Sequence, residues 1–180
     1  AATVLRALDQ LWDCRLPLER LAALGLGLGA DVPVFVHGHS AWAEGVGEQL
    51  QPVTLAPQTY LVIDAGATVA TGPVFQAAEL TRDSPRITIR GFLAGEATRN
   101  DLEPVVRQRH PAVAAALDWL GRFAPTRLTG SGGCVFAAMP DRAAAERLAG
   151  DCPPGWRAIV AQACDRSMLL DRLQGGQATR

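Results

Sequence analysis

An aspartate that follows a glycine-rich stretch is the first residue along the chain that could do chemistry. Asp31 comes after alternating glycines in residues 25–29 and before Pro33, a residue tolerated in the first turn of a helix but not deeper. A carboxylate that opens a helix can accept or orient the proton of a substrate hydroxyl, as aspartates do in phosphoryl transfer. It can equally cap its own helix. The spacing alone favours the cap.

Residues 129–134 read Thr-Gly-Ser-Gly-Gly-Cys and form a second candidate site. Clustered glycines allow successive backbone N–H groups to converge on an anion, and a serine hydroxyl adds a further donor. The residues that would bind a phosphate in this way are Gly130, Ser131, Gly132 and Gly133. A glycine-rich turn between two strands, with no ligand, accounts for the pattern equally well.

Two apolar side chains lie beside predicted turns. Val46 stands between two glycines, and Phe75 ends a Thr-Gly-Pro-Val-Phe segment. Side chains in such positions are suited to contact a flat base, although core packing is the simpler interpretation. His37 and His39 are close in sequence, but a metal site needs more ligands than this pair supplies. No metal ligand is therefore predicted.

The composition is that of a folded protein without a nucleic-acid or membrane partner. Of the 180 residues, 48% are apolar and 19% are charged, the net charge is −1, and no basic run is present. The longest apolar runs are too short to cross a bilayer. The four cysteines form no CxxC pair, so no metal site or redox motif is implied. With no signal peptide in the sequence, the expected compartment is the reducing cytoplasm. All 17 basic residues are arginines, so a step that needs a lysine ammonium cannot draw it from this chain.

Periodicity and turn residues place the first-half segments on elements. An apolar stripe at helical spacing runs from Val4 to Trp12, a second covers Leu18–Leu24, and residues 25–29 are predicted to form a loop. Residues 40–53 are predicted to form a β-hairpin with glycines in its turn. A linker bounded by prolines follows, and the predicted domains are residues 1–57 and 58–180.

The second half alternates strands and helices. Strands are predicted at 60–63, 127–129, 134–139 and 156–161, and helices at 71–78, from 100 onward, at 111–123 and at 141–148. Within the helix 111–123, Val113, Leu117 and Leu120 are expected to face inward. This order predicts an α+β fold with a ferredoxin-like layer. The tail 174–180 is predicted to be irregular.

Taken in order, these segments resemble one kinase family. The blocks are Gly-Ala-Asp-Val-Pro at 29–33, Glu-Gly-Val-Gly-Glu at 44–48, Thr-Gly-Pro-Val-Phe at 71–75, Asn-Asp-Leu-Glu-Pro at 100–104 and Leu-Thr-Gly-Ser-Gly-Gly-Cys at 128–134. Their order and spacing are similar to those of the 4-diphosphocytidyl-2-C-methyl-D-erythritol kinases of the GHMP superfamily. The resemblance runs from Ala1 to about Ser167.

The resemblance implies a GHMP kinase two-lobe fold. Residues 1–57 would end the N-terminal, ATP-binding lobe, and residues 58–180 would form a ferredoxin-like C-terminal lobe. The implied reaction transfers the γ-phosphate of ATP, accompanied by Mg²⁺, to the 2-hydroxyl of a cytidine-diphospho sugar alcohol in the non-mevalonate route to isoprenoids.

The family's functional residues match positions in this chain. Asp31 matches the catalytic aspartate, so the resemblance favours the catalytic role over the cap. Gly130 to Gly133 match a glycine motif that lies beside the ATP phosphates. Val46 and Phe75 match positions that pack on the cytosine, and Thr71 matches the same pocket wall.

Some of the family's features have no counterpart in these 180 residues. In the family, a loop rich in glycine and serine precedes the helix that here begins near Ala1, and a lysine, an aromatic residue and a histidine come earlier still. We therefore expect the chain to be the C-terminal part of a longer kinase and to have little or no activity alone.

Two alternatives stay open at this point. Another GHMP kinase, acting on homoserine, mevalonate or phosphomevalonate, would share the fold and the glycine motifs. A non-catalytic binding module that retains the fold is the other alternative. The sequence also leaves open whether the protein forms a homodimer.

Overall fold

The computed structural model describes residues 1–175, and the chain divides into two compact units. The first unit comprises Ala1–Ala56 together with Cys164–Arg180, and the second comprises Pro57–Ala163. Part of the predicted irregular tail, residues 176–180, lies outside the described residues.

The segment that begins at Cys164 belongs with the first unit because of backbone pairing. The Ser40 N–H donates to the Asp165 carbonyl oxygen at 3.0 Å, and the Ser167 N–H donates to the Gly38 carbonyl oxygen at 2.9 Å. The sequence alone predicts that this segment lies with residues 58–163, because its local pattern carries no sign of a partner so much earlier in the chain.

The first unit contains helices and one hairpin. Its elements are α1 (Ala2–Leu11), α2 (Leu18–Leu26), α3 (Val32–His37), β1 (Ala41–Glu44), β2 (Gln49–Pro52) and α9 (Met168–Gly175). The predicted hairpin is present, with Ala41 opposite Pro52 in an antiparallel register. Helix α9 was not predicted, and it includes the first two residues of the supposed irregular tail.

The core of the first unit is small. Ala2, Leu21 and Val36 are buried, and Leu5 and Leu18 pack against them. The rest of the predicted α1 stripe is only partly covered, because Val4, Leu11 and Trp12 are exposed.

Helix α2 extends through Gly25 to Leu26, within the segment 25–29 for which the sequence predicts a loop. A Cβ atom on Gly25 would lie 2.8 Å from Val32 Cγ1, so the glycine allows α2 and α3 to approach closely. Glycine in a helix interior costs about 1 kcal/mol relative to alanine. The loop prediction is wrong for residues 25 and 26, because packing between the helices outweighs this local preference. Residues 27–29 lie outside α2, as predicted.

The second unit is an antiparallel sheet covered by helices. Its elements are β3 (Thr59–Asp64), α4 (Thr71–Phe75), α5 (Ile89–Leu93), α6 (Glu103–Arg109), α7 (Pro111–Gly121), β4 (Thr126–Leu128), β5 (Cys134–Met139), α8 (Arg142–Gly150) and β6 (Arg157–Gln162). The strand order is β4-β5-β3-β6, and every neighbouring pair is antiparallel. The βαββαβ order confirms the predicted ferredoxin-like layer. Helix α5 was not predicted, and α4 ends three residues earlier than expected.

One face of this sheet forms the main core. Burial alternates along β3, with Leu61 and Ile63 fully enclosed, as expected for a strand with one face covered. Val113, Leu117 and Leu120 of α7 are buried as predicted. Within residues 1–175, no helix combines the length and apolar character needed to span a membrane.

Candidate active site

Asp31 occupies the N-cap position of α3, but its side chain does not cap the helix. Its carboxylate accepts no hydrogen bond from the first turn, and the residue is exposed. The helix is held from its other side, where Pro33 and Val36 are buried. The carboxylate is therefore free to contact another molecule. This differs from the capping role, in which the carboxylate would accept a hydrogen bond from its own helix.

The hairpin turn after β1 packs beside the segment that leads to Asp31. A Cβ atom on Gly47 would lie 2.7 Å from the Ala30 carbonyl oxygen, and Gly47 has a φ of +117°. Only glycine satisfies both the backbone angle and the close approach. The turn that carries Val46 thus contacts the residue immediately before Asp31.

Glu48 stabilises the same turn. Its Oε2 accepts from the Val46 N–H at 2.8 Å, and hydrogen bonds from its own amide and from that of Val46 lower the pKa of its carboxyl. The Val46 side chain is 70% exposed. Core packing, the simpler interpretation of Val46, therefore does not apply.

Helix α4 in the second unit presents Phe75 to solvent. Phe75 is 54% exposed, whereas the preceding Val74 is almost completely buried. Two arginines hold the helix through its carbonyl groups. Arg82 Nη2 donates to the Phe75 carbonyl oxygen at 2.8 Å, and Arg109 Nη1 donates to that of Pro73 at 3.2 Å. The exposed aromatic ring is thus carried on a well-anchored turn.

The loop between β4 and β5 has the backbone of an anion-binding turn. Gly130, Gly132 and Gly133 have φ values of +49°, +126° and +93°. The Gly132 N–H donates to the Thr129 carbonyl oxygen, whereas the amides of Gly130, Ser131 and Gly133 donate to no acceptor in residues 1–175. Successive amides in left-handed or irregular backbone can converge on an anion. We call residues Gly130 to Gly133 the glycine loop.

The glycine loop touches α4 through two hydroxyl groups. Thr71 Oγ1 and Ser131 Oγ are 2.7 Å apart, a hydrogen bond in which either atom could donate. A Cβ atom on Gly132 would lie 2.9 Å from Val69 Cγ2, so the loop also packs tightly on the segment before α4. The structure therefore brings together Thr71 and Ser131, which the sequence analysis assigned to different ligands.

The motifs in the sequence do not reveal two further contacts, one to the glycine loop itself and one to the strand that precedes it. Asn100 Nδ2 donates to the Gly130 carbonyl oxygen at 2.7 Å, and Glu103 Oε2 accepts from the Leu128 N–H at 3.2 Å. Both belong to the Asn-Asp-Leu-Glu-Pro block that carried the resemblance. Their contacts were not predictable from that block because the partners lie 25 to 30 residues further along the chain.

The part of the chain that the structure describes has no group of three or more His, Cys, Asp or Glu residues placed to hold a metal ion. His37 lies at the end of α3 and His39 forms an isolated bridge with Arg166.

The segment of the chain that contains the glycine loop matches a known protein family. Residues 88–153 match the family described as "GHMP kinases C terminal". This part of the chain belongs to the C-terminal family of the GHMP kinases.

Within this superfamily the chain is similar to one kind of kinase. It is 55% identical to the 4-diphosphocytidyl-2-C-methyl-D-erythritol kinase of Halorhodospira halophila over 94% of this chain and 59% of that protein. It is 52% identical to the kinase of the same name from Nitrosococcus oceani over 97% of this chain and 62% of that protein. The chain thus spans about three fifths of the length of these relatives.

A solved structure agrees with the sequence relatives. The crystal structure of a 4-(cytidine 5'-diphospho)-2C-methyl-D-erythritol kinase matches with a TM-score of 0.72 and 30% sequence identity, covering 90% of this chain and 62% of that one. The predicted family and fold class are confirmed by these comparisons.

Proposed function

We propose that the complete protein containing this chain transfers the γ-phosphate of ATP to the 2-hydroxyl of 4-diphosphocytidyl-2-C-methyl-D-erythritol. The similarity to kinases of that name supports the substrate. The observation that carries the catalytic part is the exposed Asp31 carboxylate, which α3 positions but does not use as a cap. A carboxylate held in this way can act on the proton of an acceptor hydroxyl.

In this proposal Asp31 accepts or orients the proton of the attacking hydroxyl. Phosphoryl transfer depends mainly on positioning and on charge stabilisation, so the chain's contribution is to hold the nucleophile in place. Burial of Val36 and Pro33 fixes α3, and the Gly47 contact with Ala30 restrains the segment that enters it. Asp31 is thus supported from two sides.

The glycine loop is proposed to bind the phosphates of ATP. The Ser131 hydroxyl and the three amides that donate to no acceptor in residues 1–175 are donors suited to a phosphate, so the residues present fit this ligand. ATP, when bound, supplies the phosphoryl group. The loop's own contribution is to hold negative charge that builds on the phosphate oxygens.

Val46, Thr71 and Phe75 are proposed to contact the cytidine part of the substrate. Val46 and Phe75 expose apolar side chains at the ends of restrained turns, and a flat base can stack on an aromatic ring or pack on a branched side chain. The Thr71 hydroxyl, already within hydrogen-bonding distance of Ser131, adds a polar group on the same helix as Phe75.

We propose that Mg²⁺ accompanies ATP and that the phosphate oxygens of ATP would hold it. None of the roles proposed for residues of this chain depends on a protein-bound ion. The four cysteines, none of them in a disulfide, suit the cytoplasm. A homodimer is compatible with the proposal, and sedimentation of the complete protein would test it.

The test is a kinase assay with the complete protein, ATP, Mg²⁺ and a panel of alcohols. The expected result is rapid phosphorylation of the cytidine-diphospho substrate and slow or no reaction with homoserine, mevalonate and phosphomevalonate. If the protein prefers one of the other alcohols, that alcohol replaces the proposed substrate. If none of the alcohols is phosphorylated, the result favours a non-catalytic binding module.

A second assay uses the 180-residue chain alone. It contains no lysine, so we expect turnover to be absent or very slow. Turnover by this chain at the rate of the complete protein would show that the proposed need for further residues is wrong.

A further inference from the structure

The side-chain amide of Asn100 uses all of its hydrogen-bonding groups on the backbone around the glycine loop. Nδ2 donates to the carbonyl oxygens of Gly130 at 2.7 Å and Leu128 at 3.2 Å, and Oδ1 accepts from the Leu102 N–H at 3.0 Å. The orientation of the amide is set by these partners, because two carbonyls require donors and one N–H requires an acceptor. The half-buried Asn100 therefore suits this position, whereas an aspartate has no side-chain N–H to donate to the two carbonyls.

Asn100 and Glu103 together occupy the free edge of the sheet. Strand β4 is an outer strand, and the Thr129 N–H donates inward to the Cys134 carbonyl oxygen. Since hydrogen bonding alternates along an antiparallel strand, the N–H and C=O of Leu128 face away from β5. Glu103 accepts from this N–H, and Asn100 donates to this carbonyl. The two side chains thus form the hydrogen bonds that a further strand would otherwise form at this edge.

The additional bond from Asn100 to Gly130 determines the direction of one peptide group. The peptide bond between Gly130 and Ser131 is trans, so the Gly130 carbonyl and the Ser131 N–H point in opposite directions. When Asn100 holds the carbonyl, the Ser131 N–H is turned away from Asn100, where it meets no acceptor in residues 1–175. Gly130 has a φ of +49° and could rotate easily without this restraint.

We propose that Asn100 is a positioning residue for the glycine loop. It aims the Ser131 amide at a phosphate and prevents the peptide from flipping, which would present the Gly130 carbonyl to an anion instead. This inference rests on the proposed ATP-binding role of the loop. The Thr71–Ser131 hydrogen bond restrains the same residue through its side chain.

The test compares Asn100→Asp with Glu103→Gln in the complete protein. Asn100→Asp keeps the shape of the side chain but places an acceptor against two carbonyls, so the flipped peptide becomes favourable. Loss of one aligned donor is expected to raise the Kd and the KM for ATP about tenfold, while the KM for the acceptor alcohol stays within about twofold. Asn100→Ala, which removes the donor without adding a charge, should behave in the same direction.

Glu103→Gln is the matched control. It keeps an acceptor for the Leu128 N–H and does not contact Gly130, so its Kd for ATP should stay within about twofold of the wild type. If Asn100 only stabilised the edge of the sheet, Asn100→Asp and Asn100→Ala would lower the melting temperature and leave the Kd for ATP unchanged.

The measurements are calorimetric titration with ATP, steady-state kinetics and thermal melting. If Asn100→Asp and Asn100→Ala both bind ATP with the Kd of the wild type, the inference is overturned, whether or not their melting temperatures change. A wild-type protein that binds ATP but phosphorylates none of the alcohols would overturn the proposed function and leave the Asn100 comparison intact. A wild-type protein that does not bind ATP would overturn both.

Discussion

Asp31 combines a helix-opening position with a carboxylate that the helix does not use. Most aspartates at such positions accept a hydrogen bond from the first turn, which stabilises the helix by about 1 kcal/mol. Here α3 begins without that bond and is held by its buried residues instead. The carboxylate is therefore available for a ligand without loss of the helix.

At the residue scale, Asp31→Asn in the complete protein should lower kcat by roughly 10²–10⁴-fold, because an amide cannot accept the hydroxyl proton. Binding of ATP should change little, since the proposed phosphate donors belong to the glycine loop. Glu19→Gln is the control, because it removes another exposed negative charge near the start of a helix, α2. Steady-state kinetics and ATP titration measure both effects, and near-normal kcat in Asp31→Asn would remove this residue from the mechanism.

Turns, rather than long helices, present the other candidate residues. The hairpin turn carries Val46 and is held by the Glu48 carboxylate, and α4 carries Phe75 and is held by Arg82 and Arg109. In each case the exposed apolar side chain is fixed through its backbone. Little ordering is then left to occur when a ligand binds, which reduces the entropic cost of binding.

At the element scale, Gly47→Ala should disturb the hairpin turn. The new Cβ would lie 2.7 Å from the Ala30 carbonyl oxygen, and a φ of +117° is strained for alanine. We expect the free energy of unfolding to fall by about 1–3 kcal/mol. The kcat should fall as well, because Ala30 precedes Asp31.

The control for this change is Gly150→Ala at the end of α8. A Cβ there meets no atom within 4 Å, and the residue lies in a helix. Urea unfolding should show unchanged or slightly increased stability, by about 0.5–1 kcal/mol at most. Equal behaviour of the two variants would contradict the close approach of Gly47 to Ala30.

For the whole molecule, the two units differ in the size of their cores. Among the described residues, the second unit encloses side chains from β3, β5, α6, α7 and α8 in one cluster. The buried hydrophobic cluster of the first unit comprises Ala2, Leu21 and Val36. Stability of the second unit should therefore depend on individual large side chains in the sheet and helix layer.

Leu120→Ala tests this dependence, because Leu120 is completely buried. The lost contacts and the resulting cavity should lower the free energy of unfolding by about 2–5 kcal/mol. Leu11→Ala, at a leucine that is 68% exposed, should change it by no more than about 0.5 kcal/mol. Chemical denaturation followed by circular dichroism compares them, and similar losses in the two variants would contradict the described burial.

Local patterns in the sequence were sufficient for the hairpin, for the inward face of α7 and for the ferredoxin-like layer. These features depend on periodicity and turn residues that act over a few positions, so the amino-acid order predicts them directly. The motifs at Asp31 and at the glycine loop were visible for the same reason.

Features that depend on contacts between distant segments emerged only from the tertiary structure. Gly25 lies in a helix because α3 packs against it, the segment from Cys164 pairs with residues near Gly38, and Asn100 reaches the Gly130 carbonyl. Each outcome reflects the free energy of packing or hydrogen bonding with a partner far along the chain. Such a partner leaves no mark in the neighbouring residues, and it is brought within reach only when the chain folds.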